Sequence, residues 1–420
     1  MSLGRPIVAL VYAEVTAPVV RAQTGPLLAA LRAAGEQVDA AAFTTPRRLF
    51  LPGERSTHRR ALDALAQATG RSPITLTHRP RTTRFESAGE RLAVELRDRG
   101  LVDAVLFCRQ PRAALVGIAA REHLRRTGGR GPFVVHDQRG VRPEEYLLSL
   151  GKEEAELSAD ERRMLGLYRE QESAACRGAD AVVTVSRAMA RRVQELHEVA
   201  ADRVLRLPNH ARSPDDGEAR RAAARARLGL AEDALVLAYS GTLAAWQLPE
   251  ATALLARALR DEFPQSRLLL LTPEVAHARA VVSTIGVPGA IVRQESPDTV
   301  ADQLAAADYG LLLRADSPVN RVACPVKFGE YLAVGARPVL TPQIGDQSDL
   351  CGATDLGVVV GLGDVRETTR RIAIDAVRPG NLSVEGREKR RAWARENIAP
   401  ECAAARLLEF LGAVVPKPTT

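Results

Sequence analysis

The sequence predicts an α/β chain made of two doubly wound, parallel-sheet halves with a cleft between them. Three observations predict this. Short apolar runs rich in Val and Leu alternate with longer stretches of helical spacing along most of the chain. A polar, turn-rich break, HARSPDDG at 210–217, splits the alternation into two series. The length of 420 residues exceeds what one ordinary core serves.

The first series opens with the apolar run 7–12, read as a buried strand, followed by helical spacing over 20–34. Further strands are expected at 38–43, 74–77, 104–108, 133–136 and 181–185, with helices such as 86–99 and 111–126 between them. Ser186 is a natural N-cap for a helix over 187–197. A short strand at 204–207 leads into a linker near 207–218.

The second series begins with a helix over 220–228 and a strand over 235–240. Helix 249–263 follows, with Pro249 in its first turn. Then come strand 267–271, helix 275–285, strand 290–292, helix 299–306 and strand 309–313. Residues 314–321 read as a polar loop before helix 326–334. Strands at 338–340 and 357–360, helix 365–377 and tail helices at 386–396 and 400–411 complete the chain. The expected domains are 1–207, 208–385 and a helical tail, 386–420.

Composition narrows the function. The net charge of +7 sits in the first half: residues 1–210 carry 33 Lys and Arg against 25 Asp and Glu. Such a surface suits an anionic substrate or an anionic membrane, or is simply solvated. No helix-turn-helix, zinc knuckle or aromatic-basic strand pattern is present, so no nucleic-acid partner is expected. The five cysteines are scattered, as free thiols in a reducing cytosol would be. No apolar run of about 18 residues predicts a membrane span, and the run at 7–12 is too short for a signal peptide. Asp-x-Asp is absent from the sequence, so no bound divalent metal and no cofactor is expected.

Of the 58 Lys and Arg, only Lys152, Lys327, Lys389 and Lys417 are lysines. Lys327 alone lies among apolar and small residues, in ACPVKFGEYLAVG at 323–335. A compact ammonium is a point charge, and a guanidinium does not replace it everywhere. At a helix start it suits a diphosphate, and Glu330, three residues on, suits a ribose diol. Arg314 at the preceding strand end would add a second phosphate contact. A plain ion pair on a helix surface is the alternative. Gly241 and Thr242 follow a strand and precede a helix, where backbone N–H groups can approach a phosphate, though a structural turn fits as well. A third cluster, His136-Asp137-Gln138-Arg139-Gly140, ends the strand 133–136, with Arg109 expected on a neighbouring strand. His136 also reads as an ordinary core histidine.

These residues resemble the GT-B glycosyltransferases, in particular the retaining, family-4-like group that uses nucleotide sugars. PVKFGEYLAVGARPVL at 325–340 looks like that group's donor-binding segment, which places Glu330 on the ribose. Residues 239–243 match the loop near the diphosphate, ADAVVTVS with LPN matches the close of the first domain, and HDQRG with PEE resembles members that build cell-surface polysaccharides. The resemblance implies two Rossmann-like domains facing a central cleft, with the tail helices of 386–420, including Trp393, packed back on the first domain. It implies transfer of a hexose from a nucleoside diphosphate sugar to a saccharide or lipid-linked acceptor. The protein would be cytoplasmic, as a peripheral protein on the inner face of the membrane. The donor-binding residues would be Gly241, Thr242, Arg314, Lys327, Glu330 and Tyr331. Arg109 would bind acceptor, and His136, Asp137 and Arg139 would form the catalytic edge. One departure stands out: Val322 occupies the position of the group's first glutamate. An epimerase of the same fold and a non-catalytic sugar-nucleotide-binding scaffold subunit are the alternatives.

Overall fold

The computed structural model describes residues 3–12, 16–17, 20–44, 51–77, 85–296 and 299–417. The chain divides into two compact units. One comprises residues 1–208 and 400–420, the other residues 209–399.

Among its described residues the first unit holds seven strands: β1 (Ile7–Tyr12), β2 (Val38–Thr44), β3 (Ile74–Thr77), β4 (Val105–Arg109), β5 (Phe133–Gln138), β6 (Ala181–Thr184) and β7 (Val204–Arg206). All pair in parallel, in the order β3-β2-β1-β4-β5-β6-β7. The second unit holds β8 (Val236–Ser240), β9 (Arg267–Leu271), β10 (Ile291–Arg293), β11 (Tyr309–Leu312), β12 (Arg337–Leu340) and β13 (Val358–Val359). Their order is β10-β9-β8-β11-β12-β13, again parallel. Each unit is therefore a doubly wound, Rossmann-like sheet. Strand order reverses between β1 and β4 in the first and between β8 and β11 in the second, and such switch points are where open sheets take ligands.

Side-chain alternation explains why the strands are continuous apolar runs. Ile7, Ala9 and Val11 of β1 enter one core cluster, while Val8, Leu10 and Tyr12 enter another on the opposite face. Val236 and Ala238 of β8 likewise separate from Leu237 and Tyr239. Helices cover both faces, so most positions are apolar.

Several helices were not expected from the sequence, among them Pro52–Thr69, Arg142–Leu150, Ala159–Gly178 and Gly345–Ala353. Their mean hydropathy is low or their apolar stripe is short, which conceals helical periodicity. The polar loop 314–321 contains a short helix, Pro318–Val322, capped by the Ser317 hydroxyl. The tail differs most. Helix Val384–Ile398 packs on helix Val326–Val334 inside the second unit, with Trp393 against that unit's core. Only helix Pro400–Val414 joins the first unit, where it packs on helix Gly25–Ala33.

Candidate functional site

At the switch point of the second sheet, β8 and β11 pair only through Tyr309↔Leu237 and Gly310↔Ala238 and then part. The Tyr331 hydroxyl fills that gap. It donates to the Leu311 carbonyl at 3.1 Å and accepts from the Ser240 N–H at 3.4 Å. Its ring lies on Gly310, where any Cβ would overlap the ring carbons. Tyr331 is fully buried. Its hydroxyl is spent between two strands, so the expected donor contact becomes a supporting role beneath the site.

Lys327 stands in the first turn of helix Val326–Val334, directly after its N-cap Pro325. It is half-buried. Its ammonium donates to Gln247 Oε1 and lies 4.0 Å from the centroid of the Tyr239 ring. Burial holds its pKa well below the ordinary lysine range, the Arg314 charge adds to that, and Glu330 opposes it. Gln247 is the hub of this corner. Its Oε1 also accepts the Tyr239 hydroxyl at 2.8 Å, and its Nε2 donates to Thr242 Oγ1 at 3.1 Å. Leu248, next in the chain, has φ of +49°, an unfavourable left-handed conformation for a leucine.

Glu330 is half-buried and makes no hydrogen bond or ion pair with other described residues; burial pushes its pKa up and Lys327 pulls it down. Arg314 continues β11. Its Nη1 donates to Asn320 Oδ1 at 2.8 Å, while its Nε is buried without a partner. Its backbone N–H donates to Thr341 Oγ1 at 2.9 Å. Lys327 and Arg314 thus repel each other across a site whose one carboxylate is uncommitted. An anion placed between them would relieve that repulsion.

The turn after β8 is only partly as expected. Gly241 has φ of +119°, which suits glycine, but its N–H donates to the Leu271 carbonyl at 2.8 Å. The Leu243 N–H is held by Glu274. In this turn Thr242 N–H is the amide left for a ligand.

In the first unit, β4 and β5 bring Arg109 opposite Asp137. Arg139 Nε donates to Asp137 Oδ1 at 2.6 Å, and Arg109 Nη1 lies 3.6 Å from Oδ2. Asp137 is only 1% exposed. Two guanidiniums neutralise its buried charge, which fixes it as an anchor for the arginines rather than a free base. His136 is fully buried and its Nε2 contacts Gln138 Oε1 at 2.5 Å. Burial lowers its pKa to about 4. It is a neutral core histidine, and its ring does not reach the surface.

Sequence reasoning missed Gln247, Asn320 and Thr341, which position the two cations. Their polar types carry no signal until the fold brings them to Lys327 and Arg314. Among the described residues no group of three or more His, Cys, Asp or Glu has metal-binding geometry. No described helix is long and apolar enough to cross a membrane.

No protein-family model matches the chain. No curated protein is significantly similar to it. Solved structures are. A glycosyltransferase from Rickettsia africae ESF-5 is 11% identical over 98% of this chain and 99% of that one, with a TM-score of 0.66. A sucrose-phosphate synthase from Thermosynechococcus elongatus is 18% identical over 96% and 98%, with a TM-score of 0.67. Anabaena HepE, solved in complex with UDP and glucose, is 15% identical over 97% and 100%, with a TM-score of 0.62. At these identities the likeness establishes the fold: this chain has the two-Rossmann-domain fold of those enzymes.

Proposed function

We propose that the protein is a glycosyltransferase that moves a hexose from a nucleoside diphosphate sugar to a saccharide or lipid-linked acceptor, with retention of configuration. The observation that carries this reading is the Lys327 ammonium at the β8/β11 switch point, beside the uncommitted carboxylate of Glu330 on the same helix. Lys327 and Arg314 would neutralise the departing diphosphate, with the Thr242 N–H as a further donor. Held in place before the reaction and partly shielded from water, such cations stabilise developing negative charge better than solvent does. Glu330 would accept from the ribose hydroxyls. The diphosphate charge is met by protein groups, without a resident metal. A glycosyltransferase-like fold, and a neighbour solved with UDP-glucose, support the donor class. The basic first half suits work at the inner face of a membrane, in the synthesis of cell-surface polysaccharide.

A thermal-shift panel of UDP, GDP, ADP, TDP and their sugars tests the donor site, since a ligand that binds only the folded state raises its stability. One nucleotide should stabilise the protein, and its sugar should be consumed when acceptor is added. Val322, at the position where the resemblance places an acid, favours a second reading: a binding subunit without turnover. Tight binding with no sugar release under any acceptor would select it.

A further inference from the structure

The switch point of the first sheet, between β1 and β4, opens into a cavity of about 260 Å³ that the residues of the donor site do not line. We infer that this cavity binds an anionic group on a single sugar unit, which makes the acceptor a charged saccharide. The inference deepens the transferase reading and depends on it for the word acceptor, though not for the binding itself.

Three guanidiniums line the cavity, those of Arg109, Arg112 and Arg142, against one lining carboxylate, that of Glu145, and Arg109 is also paired with the buried Asp137. Arg112 is exposed and has no ion-pair or hydrogen-bond partner among the described residues. Arg142 lies 5.0 Å from the centroid of the Tyr168 ring, and Glu145 is 3.8 Å from its Nη1. Stacking on an aromatic face holds a guanidinium in place while leaving its edge donors available. The fixed dipoles agree with the side chains. Helices Gln110–Arg126 and Arg142–Leu150 both begin at the cavity, so two helix N-termini bias it toward negative charge. Gln110 takes a left-handed φ of +71° at this turn, and strained backbone of that kind collects at ligand sites.

Gln171 supplies the independent observation. It is only 8% exposed, lines the cavity, and its amide makes no hydrogen bond with any described residue. The amide is not one of the fully buried polar atoms, so it is presented to the open cavity. A side chain that both donates and accepts suits sugar hydroxyls, while the arginines suit a phosphate or carboxylate. The volume lies below the roughly 300–1,000 Å³ of sites for drug-sized ligands, which fits one hexose rather than an oligosaccharide.

The test is calorimetric titration of the full chain with glucose 6-phosphate, glucuronate, glucose and, separately, UDP. At least one charged sugar should bind about tenfold more tightly than glucose, and high salt should weaken it. Arg112→Gln, an exposed and structurally mild change, should weaken the charged sugar about fivefold to tenfold and leave UDP unchanged. Preference for glucose 6-phosphate would identify a phosphate source, and preference for glucuronate a uronic acid source. Glucose binding as well as the charged sugars would overturn the inference. So would charged-sugar affinity indifferent to both Arg112→Gln and Arg142→Gln. If UDP binds and no charged sugar does, the inference fails while the donor site stands. If a charged sugar binds and no nucleotide does, the transferase reading fails instead.

Discussion

Lys327 packs so closely over Gly241 that a Cβ at that glycine would lie 2.9 Å from Cε and 3.0 Å from Nζ. The turn after β8 and the helix after β11 are thereby fitted to each other around one ammonium. The lysine stays in place because Gln247 holds its head and Tyr239 lies beneath it.

Gly241→Ala should therefore do two things. The left-handed backbone costs about 1–2 kcal/mol for a residue with a Cβ. The displaced ammonium should also weaken nucleotide binding about tenfold. Urea unfolding and UDP titration of the same variant measure the two effects separately. A loss of stability with full affinity would show that the contact is packing alone.

Gly310→Ala should be more damaging to the fold than any change at the surface of the site. Its Cβ would overlap the Tyr331 ring, which has no room to retreat between β8 and β11. Overpacking of this kind costs about 1–3 kcal/mol or more. Tyr331→Phe loses two hydrogen bonds, one of them long at 3.4 Å, and should cost about 1–2 kcal/mol. Denaturant midpoints of the two variants give the order.

The depressed pKa of His136 makes stability depend on pH. A histidine of pKa about 6.5 unfolded and about 4 folded binds its proton more tightly in the unfolded chain. Its full stability is present above about pH 6.5 and is lost progressively as pH falls toward 4. Between pH 6.5 and 5, before most carboxylates titrate, the wild type should lose about 1–2 kcal/mol. His136→Leu should be flat over that interval. Urea midpoints across pH read the difference.

Lys327 gives the same sign in a more alkaline range. Its folded pKa lies below the unfolded value, so its charged form destabilises the folded state and stability rises as pH climbs toward 10.5. Lys327→Met should be more stable than the wild type at pH 7, and the gap should close in alkali. Comparison of unfolding curves at pH 7 and pH 10 tests this. Equal curves at both values would place the ammonium in ordinary solvent.

The strands were legible because both faces of each sheet are covered, so β1 and β8 had to be unbroken apolar runs. Lys327 was legible because arginine fills almost every other cationic position. Tyr331 was misplaced for a physical reason: on the helix it lies one residue from Glu330, but the turn carries it to the buried face, under Gly310 and away from the ligand. His136 shows the same limit, since a strand residue and its neighbour face opposite sides. Gln247 and Asn320 gain meaning only from partners 80 and six residues away. The path of the tail depended on helix Val384–Ile398 finding helix Val326–Val334, a pairing that no local pattern encodes.

The central claim is that Lys327 binds a nucleoside diphosphate. Calorimetric titration of UDP into the wild type and Lys327→Met at pH 7 tests it most directly. Removal of one charge-assisted contact of about 1.5–3 kcal/mol should weaken binding at least tenfold, in a variant that is no less stable than the wild type. Equal affinity in the two proteins would contradict the account and leave Lys327 as a buried charge without that role.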